Sequence, residues 1–302
     1  MSGYLHELYA DALAEFGSPI RLSGCGGWLL KRPIPGVSEF DAMGCYPLFT
    51  CANWESLHDD LEKLPENILS VALVVDPLGN YSESYLRQCF RDVVIPFKEH
   101  FIVDLSSAPD TFISKHHRYY AQRALRDVRV ERCEQPMQFV DDWTRLYAEL
   151  IERHRISGMS AFSNASFAKQ LTVPGIVMLR AIHDEATVAM NLWYVQGNIA
   201  YYHLAVSDQK GYQLNASYAL MSFALDHFAE SRIRWLDLGA GAGLSNNGSD
   251  GLNRFKRGWS NATRPTFFCG RIFDRQKYAE IVKSFAIPET SYFPAYRAGE
   301  FK

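Results

Sequence analysis

Three β-rich runs follow one another in this chain: GIVMLRAI at residues 175–182, TVAMNLWYV at 187–195 and IAYYHLAV at 199–206. They are separated only by short turn sequences, one around Asp184-Glu185 and one at Gln196-Gly197-Asn198. Connections this short join antiparallel neighbours, because parallel strands need a crossover of about a dozen residues or more. The three runs therefore predict an antiparallel meander.

The segments on either side of the meander alternate between helical and strand patterns. After it, residues 215–229 carry an apolar stripe at helical spacing, and strands are predicted at 234–238 and 266–272. Before it, the run LSVALVV at 69–75 is typical of a buried strand, and another strand is predicted at 100–105. We therefore expect an α/β (α+β) fold in which helices flank mixed, mostly antiparallel sheets.

The length of the chain, 302 residues of which 47% are hydrophobic, is sufficient for two units with separate cores. We place the first unit at 1–140 and the second at 141–302, with a predicted helix at 137–154 between the two halves. In the first unit, the Gly- and Pro-rich passage 24–44 is expected to be largely loop or a short hairpin.

Composition limits the classes of function. The 31 basic residues nearly balance the 34 acidic ones, which argues against a protein that coats nucleic acid, because phosphate neutralisation requires concentrated positive charge. The six cysteines include no CxxC pair and no Cys/His cluster, so we expect buried, reduced thiols and no metal site. No run approaches the roughly 20 apolar residues of a membrane span, and residues 1–16 predict an amphipathic helix rather than a signal peptide. We therefore expect a cytoplasmic protein without a membrane span.

One short motif, WLDLGAGAG at 235–243, imitates the first motif of S-adenosylmethionine-dependent methyltransferases. A strand that ends in glycines lets the backbone approach a nucleoside cofactor. The position of the motif disfavours that interpretation, because the 59 residues after it cannot supply several further strand-helix units of about 30 residues each.

A family resemblance rests on the order of several motifs. The segment YYHLAVSDQKGYQLNASYALM at 201–221 is followed by the WLDLG strand at 235–239 and by FKRGW at 255–259. This order resembles the C-terminal signature of the FemAB-like acyltransferases of the GNAT superfamily. The basic helix FISKHHRYYAQRALR at 112–126 is similar to the family's segment ahead of the second acyltransferase unit. The resemblance covers 112–259 and extends to the first hundred residues only in element order.

The resemblance implies two GNAT-like units, the first of them degenerate, and transfer of an acyl or aminoacyl group from an activated donor to an amine by direct attack. Such chemistry needs a base or a water path for the proton and fixed donors for the developing oxyanion. It needs no metal and no covalent nucleophile, in agreement with the lack of HExxH and GxSxG motifs. We predict Asp237 and His203 as the catalytic pair, with Tyr202 as a lesser candidate. A satisfied core histidine is the competing interpretation of His203.

The remaining site residues are predicted to bind the two substrates. Between the third meander strand and the following helix, a GNAT enzyme binds donor phosphates with backbone amides at a helix start. Here the usual Gln/Arg-x-x-Gly-x-Gly/Ala pattern is not met, which leaves coenzyme A binding open. We predict that the donor is bound by Gly211, Asn215, Lys256 and Arg257, and that Arg118 and Arg123 bind an acidic acceptor.

Three functions stay open at this level. The favoured one is an N-acyltransferase with acyl-CoA or another acyl thioester as co-substrate, no tightly bound cofactor, and a small amine or an amino-acid-containing molecule as acceptor. A tRNA-dependent aminoacyltransferase of FemAB type would show tRNA binding that falls steeply with salt. A catalytically inactive binding module with this fold is the third.

Overall fold

The computed structural model describes residues 1–241 and 251–300. The described chain forms two compact units, each assembled from segments that are distant in the sequence. Unit 1 comprises residues 1–3, 98–156 and 163–264, and unit 2 comprises residues 4–97, 157–162 and 265–302.

The strands of the described residues are, in chain order, β1 (Ser18–Arg21), β2 (Trp28–Pro33), β3 (Phe40–Gly44), β4 (Ile68–Val74), β5 (Val93–Asp104), β6 (Arg129–Cys133), β7 (Ile176–His183), β8 (Ala186–Gln196), β9 (Ile199–Ser207), β10 (Trp235–Asp237) and β11 (Ala262–Ile272). The helices are α1 (Glu7–Ala12), α2 (Leu57–Glu62), α3 (Glu83–Cys89), α4 (Pro109–Phe112), α5 (Lys115–Ala124), α6 (Val140–His154), α7 (Asn164–Gln170), α8 (Gln209–Gln213), α9 (Ala216–Ala229), α10 (Gly251–Trp259) and α11 (Arg275–Ser284). Short 3-10 turns lie at Gly3–Leu5, Trp54–Ser56, Pro136–Phe139, Gly158–Ser160 and Ala295–Arg297.

The sheet of unit 1 has the strand order β5-β10-β9-β8-β7-β6. All neighbouring pairs are antiparallel except β9 and β10, which are parallel. The predicted meander is confirmed as β7, β8 and β9. Its first turn has Asp184 and Glu185 at φ 47° and 62°, the left-handed conformation that a tight hairpin turn requires at both central positions.

The core of unit 1 lies between this sheet and helix α9. Alanines and large apolar side chains alternate along α9, so the helix packs close to the strands while Phe228 reaches Trp193, with ring centroids 5.1 Å apart. Helix α5 packs beside α9 and contributes the buried Ala121 and Ala124. Side chains alternate between the two faces of a strand, so the residues of β9 and β10 next to those buried under α9 point to the opposite face of the sheet.

The sheet of unit 2 contains the strands β1-β2-β3-β4-β11 in that order. The pair β3 and β4 is parallel, and the other pairs of this series are antiparallel. The passage 24–44, expected to be largely loop or a short hairpin, contains the hairpin β2-β3. The apolar side chains of β2 are buried because they pack in the core of this unit, and this packing outweighs the local Gly and Pro content.

The predicted fold class, mixed and mostly antiparallel sheets flanked by helices, is confirmed in both units. The compact units do not follow the predicted division at 140/141, because α5 and β6 lie in unit 1 together with α6 to α10. Residues 265–302 lie in unit 2, since β11 pairs with β4 there. That each unit is GNAT-like in its own right stays a prediction. All six cysteines are buried and free.

Candidate active site

The pairing between the neighbouring strands β9 and β10 of unit 1 ends partway along β9. Strand β10 pairs with β9 only from Trp235 opposite Ile199 to Asp237 opposite Tyr201, whereas β9 continues to Ser207. Beyond Asp237 the described chain stays on β5: the Leu238 amide donates to the Phe101 carbonyl (2.9 Å), and the Phe101 amide donates to the Gly239 carbonyl (3.1 Å). The ladder between β9 and β10 therefore ends at Tyr201. An extended ligand can pair with backbone groups at an edge of this kind.

Asp237 lies at this point of separation, and it is bonded on two sides. Its side chain is only 2% exposed, and Oδ1 accepts the amide of Gly239 at 2.7 Å. Both carboxylate oxygens lie 2.9 Å from Nδ1 of His100, on the neighbouring strand β5. An ionised carboxylate can only accept, so Nδ1 donates, and in the neutral ring with this tautomer Nε2 carries the lone pair. The arrangement orients an imidazole for proton transfer.

His100 was missed by the sequence analysis, because its partner Asp237 is 137 residues further along the chain. The local pattern does contain a signal: Lys98, His100 and Ile102 alternate along β5 and so lie on one face of the sheet. The register of β5 against β10 is needed to bring that face to Asp237.

The turn after Asp237 is held by two lysines. Nζ of Lys256 donates to the Ala240 carbonyl at 2.6 Å, and Nζ of Lys98 donates to the Gly241 carbonyl at 3.2 Å. Gly239 has φ +72°, a conformation that favours glycine. Lys256, predicted to bind the donor, is therefore buried against the turn, whereas its neighbour Arg257 is exposed. The predicted loop 239–251 lies outside the described residues from 242 to 250.

Helix α10, which carries Lys256, is fixed to α5 by a buried histidine. Nε2 of His117 donates to the Phe255 carbonyl (2.9 Å), and Nδ1 accepts from the hydroxyl of Ser114 (2.7 Å). Burial lowers the pKa of His117, in agreement with a neutral ring. The ring lies directly against Gly258, where a Cβ would come within 2.0 Å of Cε1.

We expect Gly258→Ala to lower the free energy of unfolding by about 1–3 kcal/mol or more, because the His117 ring is hydrogen-bonded at both nitrogens and cannot move away without losing a bond. Urea unfolding measures the change. Gly251→Ala, on the same helix with no atom of the described residues within 4 Å of the added Cβ, is the matched control and should stay within about 1 kcal/mol of the parent chain. Equal stability of both variants would contradict the packing argument.

His203, predicted to be catalytic, lies in a closed environment. Its Nε2 donates to Oε1 of Gln170 at 3.0 Å, and the ring contacts Tyr194 with centroids 4.9 Å apart. Burial lowers the pKa of His203 to about 3. A ring with so low a pKa is a weak base near neutral pH. The geometry therefore favours the competing interpretation of a satisfied core histidine, and a catalytic role for His203 stays a prediction.

The buried His203 should make stability depend on pH. Its pKa is about 3 in the folded chain and about 6.5 in the unfolded chain, so between these values only the unfolded state takes up the proton. The free energy of unfolding should therefore fall as the pH drops below 6.5, by about 2 kcal/mol at pH 5 from this residue. Urea unfolding of the parent chain and of His203→Gln at pH 7.5 and pH 5 tests this. The same acid-induced loss in both proteins would contradict it.

Tyr202 lies on the opposite face of β9 from His203. Its ring packs on Trp193 in the core under α9, with centroids 4.8 Å apart, and Nζ of Lys256 is 6.0 Å from the ring centroid. Burial raises the pKa of Tyr202, so its phenol stays protonated at neutral pH. Leu236 packs in the same core, so Asp237 next to it points to the other face. The structure thus brings Tyr202 near Lys256 and separates it from Asp237.

The two predicted donor residues after β9 have different surroundings. The amide of Gly211 donates to Oδ1 of Asp208 at 2.7 Å, and a Cβ at Gly211 would come within 2.3 Å of the Val188 carbonyl oxygen. Packing against Val188 therefore explains why glycine is required at this position. The Gly211 amide is already hydrogen-bonded to the Asp208 carboxylate. Asn215 has φ 57° and precedes α9 without a side-chain cap bond. Donor binding by these two residues stays a prediction.

The predicted acceptor residues lie on α5. Nη1 of Arg118 donates to the Asp110 carbonyl at 2.9 Å, and Arg123 is exposed. Five residues separate them, which places them about 140° apart around the helix axis. They therefore do not converge on one small anionic group, and their role in acceptor binding stays a prediction.

Asp237 and Lys256 lie within a segment that matches a family model, whereas His100 lies before it. Residues 113–257 match the family model described as an acetyltransferase (GNAT) domain. No curated protein matches the chain. None of the described helices combines the length and the apolar character needed to cross a membrane.

Three solved structures resemble nearly the whole chain. They are the crystal structure of FemX (12% identity, 91% of this chain and 93% of that chain, TM-score 0.66), the C-terminal domain of a putative lysylphosphatidylglycerol synthetase from Agrobacterium fabrum (14%, 95% and 92%, TM-score 0.63) and L-PGS from Bacillus licheniformis (17%, 96% and 99%, TM-score 0.57). At these identities the similarity establishes the fold. Residues 113–257 therefore resemble a GNAT acetyltransferase domain, and nearly the whole chain shares the fold of these three structures.

Proposed function

We propose that the chain transfers an acyl group from a thioester donor directly to an amine, with the pair His100 and Asp237 as the proton acceptor. The observation that carries the proposal is the position of this pair: Nδ1 of His100 lies 2.9 Å from the Asp237 carboxylate, at the point where β9 and β10 separate. Beyond Tyr201 no described strand pairs with this edge of β9, and an acyl group bound there would lie beside the pair.

The proposed reaction has a balanced path for every proton. Nε2 of His100 takes a proton from the amine as nitrogen attacks the thioester carbonyl, and Asp237 stabilises the resulting imidazolium. Backbone amides at the β9 edge beyond Tyr201 are candidates for stabilising the oxyanion. The C–S bond then breaks, and the imidazolium returns a proton to the departing thiolate. The products are an amide and a free thiol.

A thioester donor is favoured over aminoacyl-tRNA because the chain has a net charge of -3. Aminoacyl-tRNA remains the alternative donor. The inactive binding module is disfavoured by the pair itself: a carboxylate 2% exposed that is bonded to a histidine 12% exposed leaves the ring reachable from solvent.

The test begins with ligand-induced thermal shift against coenzyme A, short and long acyl-CoAs, and deacylated and aminoacylated tRNA. A donor at about 100 times its dissociation constant should add roughly 2.7 kcal/mol of stability, which raises the melting temperature clearly. The acyl donor that binds is then incubated with a panel of primary amines, and the released thiol is measured. Thiol release that requires an amine supports the proposal. Stabilisation by aminoacyl-tRNA alone would assign the chain to the tRNA-dependent class.

A further inference from the structure

A concentration of positive charge lies on α5 and α10. Residues 111–126 and 251–273 contain no Asp or Glu. Six cations on α5, just after α5 and on α10 form no ion pair within the parts of the chain that are described, 1–241 and 251–300, although Asp110 and Asp127 flank α5 along the chain. We call these six residues the basic face: Lys115, Arg118, Arg123, Arg126, Arg254 and Arg257.

Other arginines of unit 1 are neutralised. Arg129 and Arg180 both pair with Glu131, the latter at 2.7 Å, and Arg145 pairs with Glu149 at 3.2 Å. Most of the basic face therefore differs from the rest of the unit, whereas Arg126 lines a surface depression together with Asp127, Asp184 and Glu185. Unpaired like charges on adjacent helices repel one another, and an anionic partner would remove this cost.

Exposed apolar side chains lie on the same elements. Tyr119 is 58% exposed, Leu125 is 47% exposed and Leu252 is 37% exposed. Arginine and tyrosine next to exposed apolar groups are typical of protein interfaces. Leucine side chains bury little apolar surface against a phosphodiester backbone. This composition therefore favours a protein over RNA as the binding partner.

The basic face lies beside the candidate active site. Helix α10 contacts α5 through the Ser114 amide and the Gly258 carbonyl, 3.0 Å apart. The same α10 carries Lys256, which donates to Ala240 in the turn after Asp237. Arg254 and Arg257 flank Lys256 on this helix and are exposed.

The extent of the face identifies the kind of anion. Lys115 and Arg123 are separated by about 12 Å along α5, at about 1.5 Å per residue, which exceeds the reach of a single pyrophosphate. The start of α8, where a GNAT donor's phosphates are expected, is occupied by the Asp208 carboxylate. A large acidic surface fits the basic face better than the tail of a small nucleotide donor.

We propose that the basic face docks an acidic carrier protein, which delivers the acyl group as a thioester on a flexible arm. This inference rests on the proposed function, and it specifies the donor of that reaction. The chemistry is unchanged: the amine nitrogen forms a bond to the acyl carbon, the C–S bond breaks, and the carrier's thiol receives the proton.

The experiment uses a hexanoylated acyl carrier protein of bacterial fatty-acid synthesis as probe, with hexanoyl-CoA and deacylated tRNA as comparison ligands. Binding is measured by fluorescence anisotropy at low and high salt. The variant Arg123→Glu/Arg126→Glu should bind the carrier at least ~10-fold more weakly than the parent chain, and high salt should weaken binding of the parent chain. Lys115→Glu is a second variant, and both should melt with the parent chain because these positions are exposed.

The matched control is Arg232→Glu, an exposed arginine after α9 that forms no ion pair among the described residues. It should bind the carrier within about twofold of the parent chain. Absence of carrier binding, or equal binding by the parent chain and both basic-face variants, would overturn the inference. Tight tRNA binding that the same variants abolish would overturn it as well and would assign the face to RNA.

Parallel acyl-transfer assays separate this inference from the proposed function. Transfer from hexanoyl-CoA to an amine without carrier binding would leave the function standing and remove the docking surface. Carrier binding that depends on the basic face, without transfer from either donor, would support the docking surface and contradict the function.

Discussion

Replacing His100 by Gln should lower kcat for acyl transfer by about 10²- to 10⁴-fold, the range that a positioned general base contributes. Glutamine can still donate a hydrogen bond to Asp237, so the turn at Gly239 should survive and donor binding should stay close to that of the parent chain. Asp237→Asn should cause a loss of similar size, because the asparagine amide no longer orients and stabilises the imidazolium.

The two residues should behave as one unit. We therefore expect the double variant His100→Gln/Asp237→Asn to be no more than a few-fold slower than the slower single variant, because removing either residue already disables the pair. Initial rates of thiol release from the acyl donor, with saturating amine, measure all three variants. Multiplication of the two single losses in the double variant would indicate that the residues act separately.

Two controls accompany these variants. His183 is the last residue of β7, where its Nδ1 donates to the Asp127 carbonyl at 2.7 Å, and His183→Gln should retain the turnover of the parent chain. His203→Gln tests the histidine that the sequence pattern favours. Full activity of His100→Gln together with loss of activity in His203→Gln would transfer the role of base to His203.

Features of the site that depend on local patterns could be predicted from the sequence, whereas contacts between residues far apart in the chain could not. The meander and α9 were predictable, because their patterns are local: short turns fix antiparallel pairing, and an apolar stripe fixes a helix face. Asp237 was also recognisable, at the end of a short strand before glycines. Its partner His100 was not, because a register between strands 137 residues apart leaves no local trace.

The division into units also depends on pairing between strands that are far apart in the sequence. A boundary at 140/141 is the natural reading of a linear pattern, whereas β11 returns to pair with β4 through Phe268 to Ile272. His203 shows a different limit. Its place in a strand of alternating residues does not reveal which face is closed, and the contact with Gln170 at 3.0 Å comes from a helix 33 residues earlier.

Replacing Lys256 by Met should lower kcat/KM about 10- to 100-fold and the free energy of unfolding by about 1–3 kcal/mol, because the half-buried Ala240 carbonyl loses a charged donor at 2.6 Å. Methionine keeps the approximate length of the side chain and removes the charge together with the N–H donors. Loosening of the turn should displace Gly239, whose amide holds Asp237 at 2.7 Å, and so disturb the orientation of His100.

The sequence pattern alone predicts a different outcome for Lys256. If its ammonium contacted donor phosphates, Lys256→Met would raise KM for the donor, reduce the salt dependence of binding and leave stability unchanged. The adjacent Arg257→Met is the matched comparison, because Arg257 is exposed and contacts the Phe101 ring only at 5.8 Å. Urea unfolding and steady-state kinetics at two salt concentrations distinguish the two roles. Loss of stability confined to Lys256→Met would identify this lysine as the residue that holds the turn, whereas equal effects of both variants on KM alone would return it to the donor site.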